Sequence, residues 1–128
     1  MQYVALIGRL IFGGYFLFAG LGHFTGLKGM AGYAKSKGVP APTLAVAGAG
    51  LLIIVAGALV VLGWHADWGA WMIVLFLLGV TPMMHNFWSA APAAKQDELI
   101  NFTKNLGLLG AALMIASIES WPYSLGAH

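Results

Sequence analysis

Four long apolar stretches limit what this chain can fold into more than any other feature of its sequence. They cover approximately residues 3–22, 43–63, 68–84 and 104–119. A helix needs about 20 mostly apolar residues to cross the hydrocarbon core of a bilayer. Charged residues make up only 8% of the sequence, whereas soluble domains carry about 25%. We therefore predict an all-α integral membrane four-helix bundle that forms one transmembrane domain over residues 1–128.

Composition excludes several other classes of protein. The chain has no cysteine, so it cannot by itself form disulfides, use thiol redox chemistry or hold a cysteine-ligated zinc or iron–sulfur site. Its net charge of +2 is small and scattered along the chain, and we expect no nucleic-acid partner. The first apolar stretch carries its arginine inside the run rather than before it, which is typical of a retained membrane helix and not of a cleaved signal.

The connections between the apolar stretches indicate the orientation of the chain. Residues 24–43 break the apolar pattern and predict a short interfacial helix between helices 1 and 2. A proline at position 92 predicts that helix 4 begins there, with its first two turns outside the membrane. By the positive-inside rule, the two lysine-bearing connections are cytoplasmic and both termini lie outside. All five lysines lie in the 1–2 or the 3–4 connection: Lys28, Lys35, Lys37, Lys95 and Lys104.

Polar side chains gather at the predicted cytoplasmic ends of three helices. His23 ends helix 1, and His85 and Asn86 end helix 3. Lys104 and Asn105 stand directly before the apolar run of helix 4. These residues could form a headgroup-level pocket for a quinone ring or an anion, in which histidine and asparagine hydrogen-bond the ligand and lysine supplies charge. They could equally be helix-end polar groups with purely structural partners, and both interpretations stay open.

Other cofactor chemistries find less support in the sequence. A haem held between His23 and His85 would use axial histidines on neighbouring helices, but two histidines are little evidence for it. A metal site as a rule needs three or more ligands, which His65 and Asp67 in the turn between helices 2 and 3 do not supply. We therefore assign no metal and leave the cofactor unknown, with a quinone as the candidate; His128 is expected in a mobile tail.

An arginine lies inside the first apolar stretch and predicts a buried partner. A charge at such depth costs about 2.5–3.5 kcal/mol on insertion scales and usually faces the bundle interior. The spacing from Arg9 to His23 equals that from Asn105 to Glu119, so antiparallel helices 1 and 4 would bring Arg9 level with Glu119. We predict an ion pair between them. The face of helix 1 that contains the arginine consists of Arg9, Gly13, Phe16, Gly20 and His23.

Three segments resemble the DoxX family of small four-helix membrane proteins. They are HNFW at residues 85–88, NFTKNLGLLGAAL at residues 101–113 and GRLIFGGYFLFAGLGHF at residues 8–24. The resemblance extends over nearly the whole chain and implies a multi-pass protein of a prokaryotic plasma (inner) membrane. It also implies a link with quinone chemistry, because some members are associated with quinone-linked sulfur oxidation or with oxidoreductase complexes. His23 departs from the family pattern, in which a lysine often follows helix 1, and helix 2 lacks the acidic residue that many members carry.

These observations lead to one main functional hypothesis and two alternatives. We expect an accessory subunit of a quinone-linked oxidoreductase complex, more a non-catalytic membrane subunit than a stand-alone enzyme, with a polar ligand site at the cytoplasmic ends of helices 1, 3 and 4. Its partners would be the lipid bilayer and oxidoreductase subunits, and a homo-oligomer stays open. The alternatives are a small transport or permeation module, with the Arg9–Glu119 layer as a charged gate, and a membrane scaffold without a ligand.

Overall fold

Five α-helices make up most of the computed structural model, which describes residues 1–125. The helices are α1 (Gln2–Thr25), α2 (Leu27–Ser36), α3 (Pro42–Leu62), α4 (Ala66–Met84) and α5 (Pro92–Ala116). A single turn of 3₁₀ helix, Phe87–Ser89, joins α4 to α5, and residues 1–125 contain no β-strand. The predicted all-α fold is confirmed, with α2 as the short helix and α1, α3, α4 and α5 as helices 1 to 4. His128, expected in a mobile tail, lies outside the described residues.

Four helical segments are long and apolar enough to cross a membrane. They are α1, α3, α5 and the segment Ala66–Ser89, which contains α4. Large apolar side chains such as Phe18 and Leu44 are exposed on these helices. In lipid this exposure carries no penalty, because the acyl chains are as apolar as the side chains themselves. The fold is that of a multi-pass membrane protein.

The spanning helices pack in a row. α1 packs against α3, α3 against α4 and α4 against α5, while α2 lies against α3. Helices α1 and α5 are the two ends of this row, and their backbones do not pack closely on each other. Phe16 of α1 nevertheless reaches the same apolar core as Ile53, Leu77 and Ala112 of the other helices. The row leaves room among the helices toward the end of the bundle where α2 lies.

Glycines bring α1 and α3 together. The buried residues of α1 are the ones that the helical period predicts, from Arg9 to His23. A methyl group added at Gly13 would lie 2.8 Å from the backbone oxygen of Gly57, and one added at Gly20 would lie 2.9 Å from that of Gly50. The two backbones are therefore in direct contact at both positions, as small residues permit in membrane helices. The face of α1 that was predicted to meet helix 4 packs instead mainly on α3.

The predicted ion pair between Arg9 and Glu119 is absent from the structure. α5 ends at Ala116, so Glu119 belongs to a non-helical segment, residues 117–125, and its side chain is exposed. The guanidinium group of Arg9 donates to two backbone oxygens of that segment, from Nη1 to Pro122 at 2.9 Å and from Nη2 to Tyr123 at 2.7 Å. The prediction was wrong because the last helix stops before it can carry Glu119 to the level of Arg9.

Residues 117–125 cross the end of the bundle that contains Arg9, which we call the outer end. The ring of Trp121 lies 5.6 Å from the guanidinium carbon of Arg9, within the range of a cation–π contact. The amide nitrogen of Leu125 donates to the backbone oxygen of Leu62 at 2.9 Å, which ties the segment to the end of α3. The opposite end of the bundle, which holds α2 and the five lysines, is the inner end.

Candidate functional site

A cavity of about 760 Å³ occupies the inner half of the bundle. Its walls are mostly apolar, and buried side chains such as Phe16, Ile53 and Leu77 line its deeper part. Exposed side chains at its rim, including Tyr15 and Leu75, place part of its boundary at the lipid-facing surface. Polar side chains from α1, α2 and α5 and from the residue that follows α4 also line it: His23, Tyr33, His85, Lys104 and Asn105.

His23 is held in the cavity wall by α3. Its Nδ1 lies 3.0 Å from the backbone oxygen of Val46. A carbonyl oxygen only accepts hydrogen bonds, so Nδ1 carries a hydrogen and donates it. A methyl group added at Gly50 would come within 2.6 Å of the His23 Cβ, so only glycine leaves room for the histidine at this depth. These contacts position the ring, and Nε2 has no protein partner among residues 1–125.

Asn105 lies on the wall of the cavity without a protein hydrogen bond. Its side chain is only 7% exposed, and none of the side-chain hydrogen bonds within residues 1–125 involves it. Neither polar atom of this amide is fully enclosed, so both open into the cavity and are available to a molecule that can pair with them. Lys104, the preceding residue, is exposed at the rim of the same cavity.

Glu98 is the centre of a second group of polar side chains at the inner end. Its Oε2 accepts from Lys37 Nζ at 2.7 Å and lies 2.8 Å from the hydroxyl of Tyr33. Its Oε1 lies 3.3 Å from His85 Nδ1, and Lys37 Nζ also donates to Asn86 Oδ1 at 2.8 Å. We call these five residues the Glu98 network; all of them except His85 line a polar cleft of about 570 Å³ beside the cavity.

The charges in the Glu98 network compensate one another. Glu98 is only 6% exposed, and a buried carboxylate is tolerated when it is paired and hydrogen-bonded. The hydrogen bond to Glu98 holds the pKa of Lys37 above its ordinary value. Burial and the same carboxylate raise the pKa of the Tyr33 hydroxyl. Both groups therefore keep their protons at neutral pH, and the lysine remains a cation that neutralises Glu98.

The structure divides the predicted inner cluster into two parts. His23, His85, Lys104 and Asn105 line the cavity, whereas Asn86 belongs to the Glu98 network. His85 belongs to both, because it lines the cavity and also approaches the buried carboxylate through Nδ1. No three histidine, aspartate or glutamate side chains within residues 1–125 come together as a set of metal ligands.

Three members of the Glu98 network were not foreseen from the sequence. Lys37 was used only as one of the five lysines that indicate the orientation of the chain, and Tyr33 was not assigned a partner. Glu98 had one usable signal: it lies two helical turns before Asn105 and so shares the face of α5 that turns inward. The sequence could not identify the backbone oxygen of Val46 as the partner of His23, because every residue has a backbone oxygen.

Four helices that can cross a bilayer, with a cavity and polar groups at one end, define this chain as a multi-pass α-helical membrane protein. The family model for DoxX matches residues 4–86, which contain α2 to α4 and all of α1 except its first two residues. The chain belongs to the DoxX family. It is also similar to the inner membrane protein YphA of Escherichia coli (strain K12), with 32% identity over 111 residues, 87% of this chain and 79% of the relative. No solved structure matches the chain.

Proposed function

We propose that this protein binds an isoprenoid quinone in the inner cavity and serves as an accessory subunit of a quinone-linked oxidoreductase complex. The observation that carries the proposal is Asn105, a buried amide without a protein partner on the wall of an otherwise apolar cavity. Binding sites for small molecules are typically mostly apolar, with a few polar groups that fix the orientation of the ligand. A quinone matches this pattern, because its ring carries two carbonyl oxygens and its tail is a hydrocarbon.

The size and position of the cavity support the same class of ligand. Its volume of about 760 Å³ lies within the range of about 300–1,000 Å³ for small-molecule sites. Its polar side chains are at the inner end, level with the lysines, whereas Tyr15 and Leu75 at the rim are exposed to lipid. A quinone ring beside Asn105 would therefore leave its tail a short route into the bilayer.

The proposed orientation places the inner end in the cytoplasm and both termini outside, in a prokaryotic inner membrane. Lys28, Lys35 and Lys37 lie between α1 and α3, and Lys95 and Lys104 lie on α5. Lysine-bearing segments at the ends of membrane spans stay cytoplasmic. The similarity to an inner membrane protein of Escherichia coli supports this membrane.

The role as an accessory subunit rests on the association of some DoxX proteins with oxidoreductase complexes. The transport alternative is weaker, because its charged gate required the Arg9–Glu119 pair.

Binding can be tested with a short-tailed benzoquinone and the purified protein in detergent, with empty micelles as the reference. We expect saturable binding, and Asn105→Leu should weaken it about tenfold, the equivalent of about one hydrogen bond. The matched control is Asn101→Leu, one turn earlier on α5 and not in the cavity wall. It should bind like the unmodified protein.

Stability separates a ligand site from a structural role for Asn105. Replacing an amide that has no protein partner by leucine should leave the free energy of unfolding unchanged or raise it. A loss of stability with no effect on quinone binding would contradict the proposal. The complex itself can be tested by purification from native membranes in mild detergent, followed by mass spectrometry for co-purifying oxidoreductase subunits and quinone.

A further inference from the structure

The polar groups of the cavity differ in whether they donate or accept hydrogen bonds, and this difference discriminates between ligands. Resting on the proposed quinone-binding function, we propose that the cavity binds the reduced, hydroxyl-bearing quinol in preference to the quinone. His23 Nε2 is the acceptor for a ligand hydroxyl group. The preference follows from how the protein fixes the hydrogen on the other nitrogen of this ring.

The hydrogen of the neutral His23 ring is on the side away from the ligand. Nδ1 donates to the backbone oxygen of Val46 at 3.0 Å, and a neutral imidazole has only one N–H group. Nε2 therefore presents a lone pair. Turning the ring to offer a hydrogen to the ligand instead would break the hydrogen bond to Val46.

The second histidine in the wall has the same polarity. His85 Nδ1 lies 3.3 Å from Glu98 Oε1, and a carboxylate oxygen accepts, so the hydrogen of a neutral His85 is on Nδ1. The polar wall thus combines two imidazole acceptors with the amide of Asn105, which can donate and accept.

Quinone and quinol differ in whether their oxygen atoms can donate hydrogen bonds. Both carbonyl oxygens of a quinone accept, so the Asn105 amide can bind one of them, but a carbonyl that faces His23 Nε2 opposes one acceptor to another. A quinol hydroxyl donates to His23 Nε2, while its oxygen atoms still accept from Asn105. Asn105 therefore contributes affinity for both forms, and His23 discriminates between them.

The test compares three ligands with one ring and one short tail: the quinol, the quinone and the dimethyl ether of the quinol. The ether keeps both oxygen atoms and lacks both O–H donors. Binding is measured without oxygen at about pH 8, where imidazole is neutral. The quinol is kept reduced with dithionite, which leaves the covalent structure of this chain unchanged because it has no cysteine. We expect the dissociation constant of the quinol to be about tenfold lower than those of the quinone and the ether.

Substitution of His23 tests whether this residue contributes to the preference for the quinol. His23→Phe should reduce the tenfold preference, and the double variant His23→Phe with His85→Phe should make the three dissociation constants equal within about twofold. The control is His65→Phe, which changes a half-buried histidine at the outer end that lies outside the cavity wall and should keep the tenfold preference. The comparison in the unmodified protein decides the matter even if His23→Phe does not fold.

The outcomes distinguish this inference from the function on which it rests. If the quinone binds as tightly as the quinol, or more tightly, the preference is refuted and the quinone site stands. If the ether binds like the quinol, the O–H donors play no part and the preference is refuted in the same way. If none of the three ligands binds, the proposed function fails and the inference fails with it.

Discussion

Arg9 at the outer end and Asn105 at the inner end are both buried, with 2% and 7% of their surfaces exposed, but they are satisfied differently. Arg9 donates to two backbone oxygens of residues 117–125. Asn105 makes no hydrogen bond to the protein within residues 1–125 and lines a cavity of about 760 Å³. Burial of a polar group therefore does not by itself indicate a ligand site. We base the proposed site on an unused hydrogen-bonding group beside open space.

The outer end also contains polar atoms without a protein partner. They include Arg9 Nε, His65 Nδ1 and Trp121 Nε1, each fully enclosed. None of these residues lines the cavity or the cleft at the inner end. Because the outer end is tied together by backbone hydrogen bonds, we assign it the structural role of holding the C-terminal segment against α1 and α3.

The largest expected effect on stability comes from the Glu98 network. Glu98→Gln removes the charge that neutralises Lys37, which is only 17% exposed, and should lower the free energy of unfolding by about 3 kcal/mol. Reversible unfolding in detergent measures this loss. The matched control, Asp97→Asn on the exposed side of the same turn, should change stability by less than about 0.5 kcal/mol. If Glu98→Gln and Asp97→Asn change the free energy of unfolding equally, the Glu98 network contributes nothing to stability.

A smaller loss is expected at the outer end. Arg9→Met removes two hydrogen bonds from a charged donor and should cost about 2 kcal/mol. It should also release residues 117–125, which would then be cleaved faster by a protease that attacks the outer side. Glu119→Gln should have neither effect, because Glu119 is exposed and not paired with Arg9.

Quinone binding should be unchanged in Arg9→Met, because the arginine lies outside the cavity wall. If Arg9→Met folds but no longer binds quinone, the outer end and the cavity are not independent of each other. If Glu119→Gln lowers the free energy of unfolding as much as Arg9→Met does, the result would support an ion pair between Arg9 and Glu119, which the structure lacks.

The smallest stability effect should come from the contact that positions His23. A methyl group at Gly50 would lie 2.6 Å from the His23 Cβ and 3.2 Å from the backbone oxygen of Gly20. Gly50→Ala should therefore cost about 1–2 kcal/mol through overpacking and weaken quinol binding more than quinone binding. Gly48→Ala, on the same helix with nothing within 4 Å of the new methyl group, should leave stability and binding unchanged. If both variants behave alike, the position of His23 does not depend on Gly50.

Much of the fold follows from local patterns in the sequence. The helical period of α1 predicts its buried residues from Arg9 to His23, because side chains every three or four residues share a face whatever the partner is. Pro92 predicts the first residue of α5, since proline fits the first turn of a helix and lacks only a hydrogen that is unpaired there. The lysines mark the end of the bundle at which the cavity lies.

Only the tertiary structure decided which groups meet. The helical period of α1 predicts that Arg9 is buried, but it does not predict the partner of Arg9. That partner depends on where α5 ends and how the chain then turns, and it proves to be the carbonyl oxygens of Pro122 and Tyr123 rather than Glu119. His23 likewise meets Val46 because glycines let α1 and α3 approach. A helix pattern is set by neighbours along the chain, whereas these contacts join residues far apart in sequence, and backbone acceptors look the same at every position.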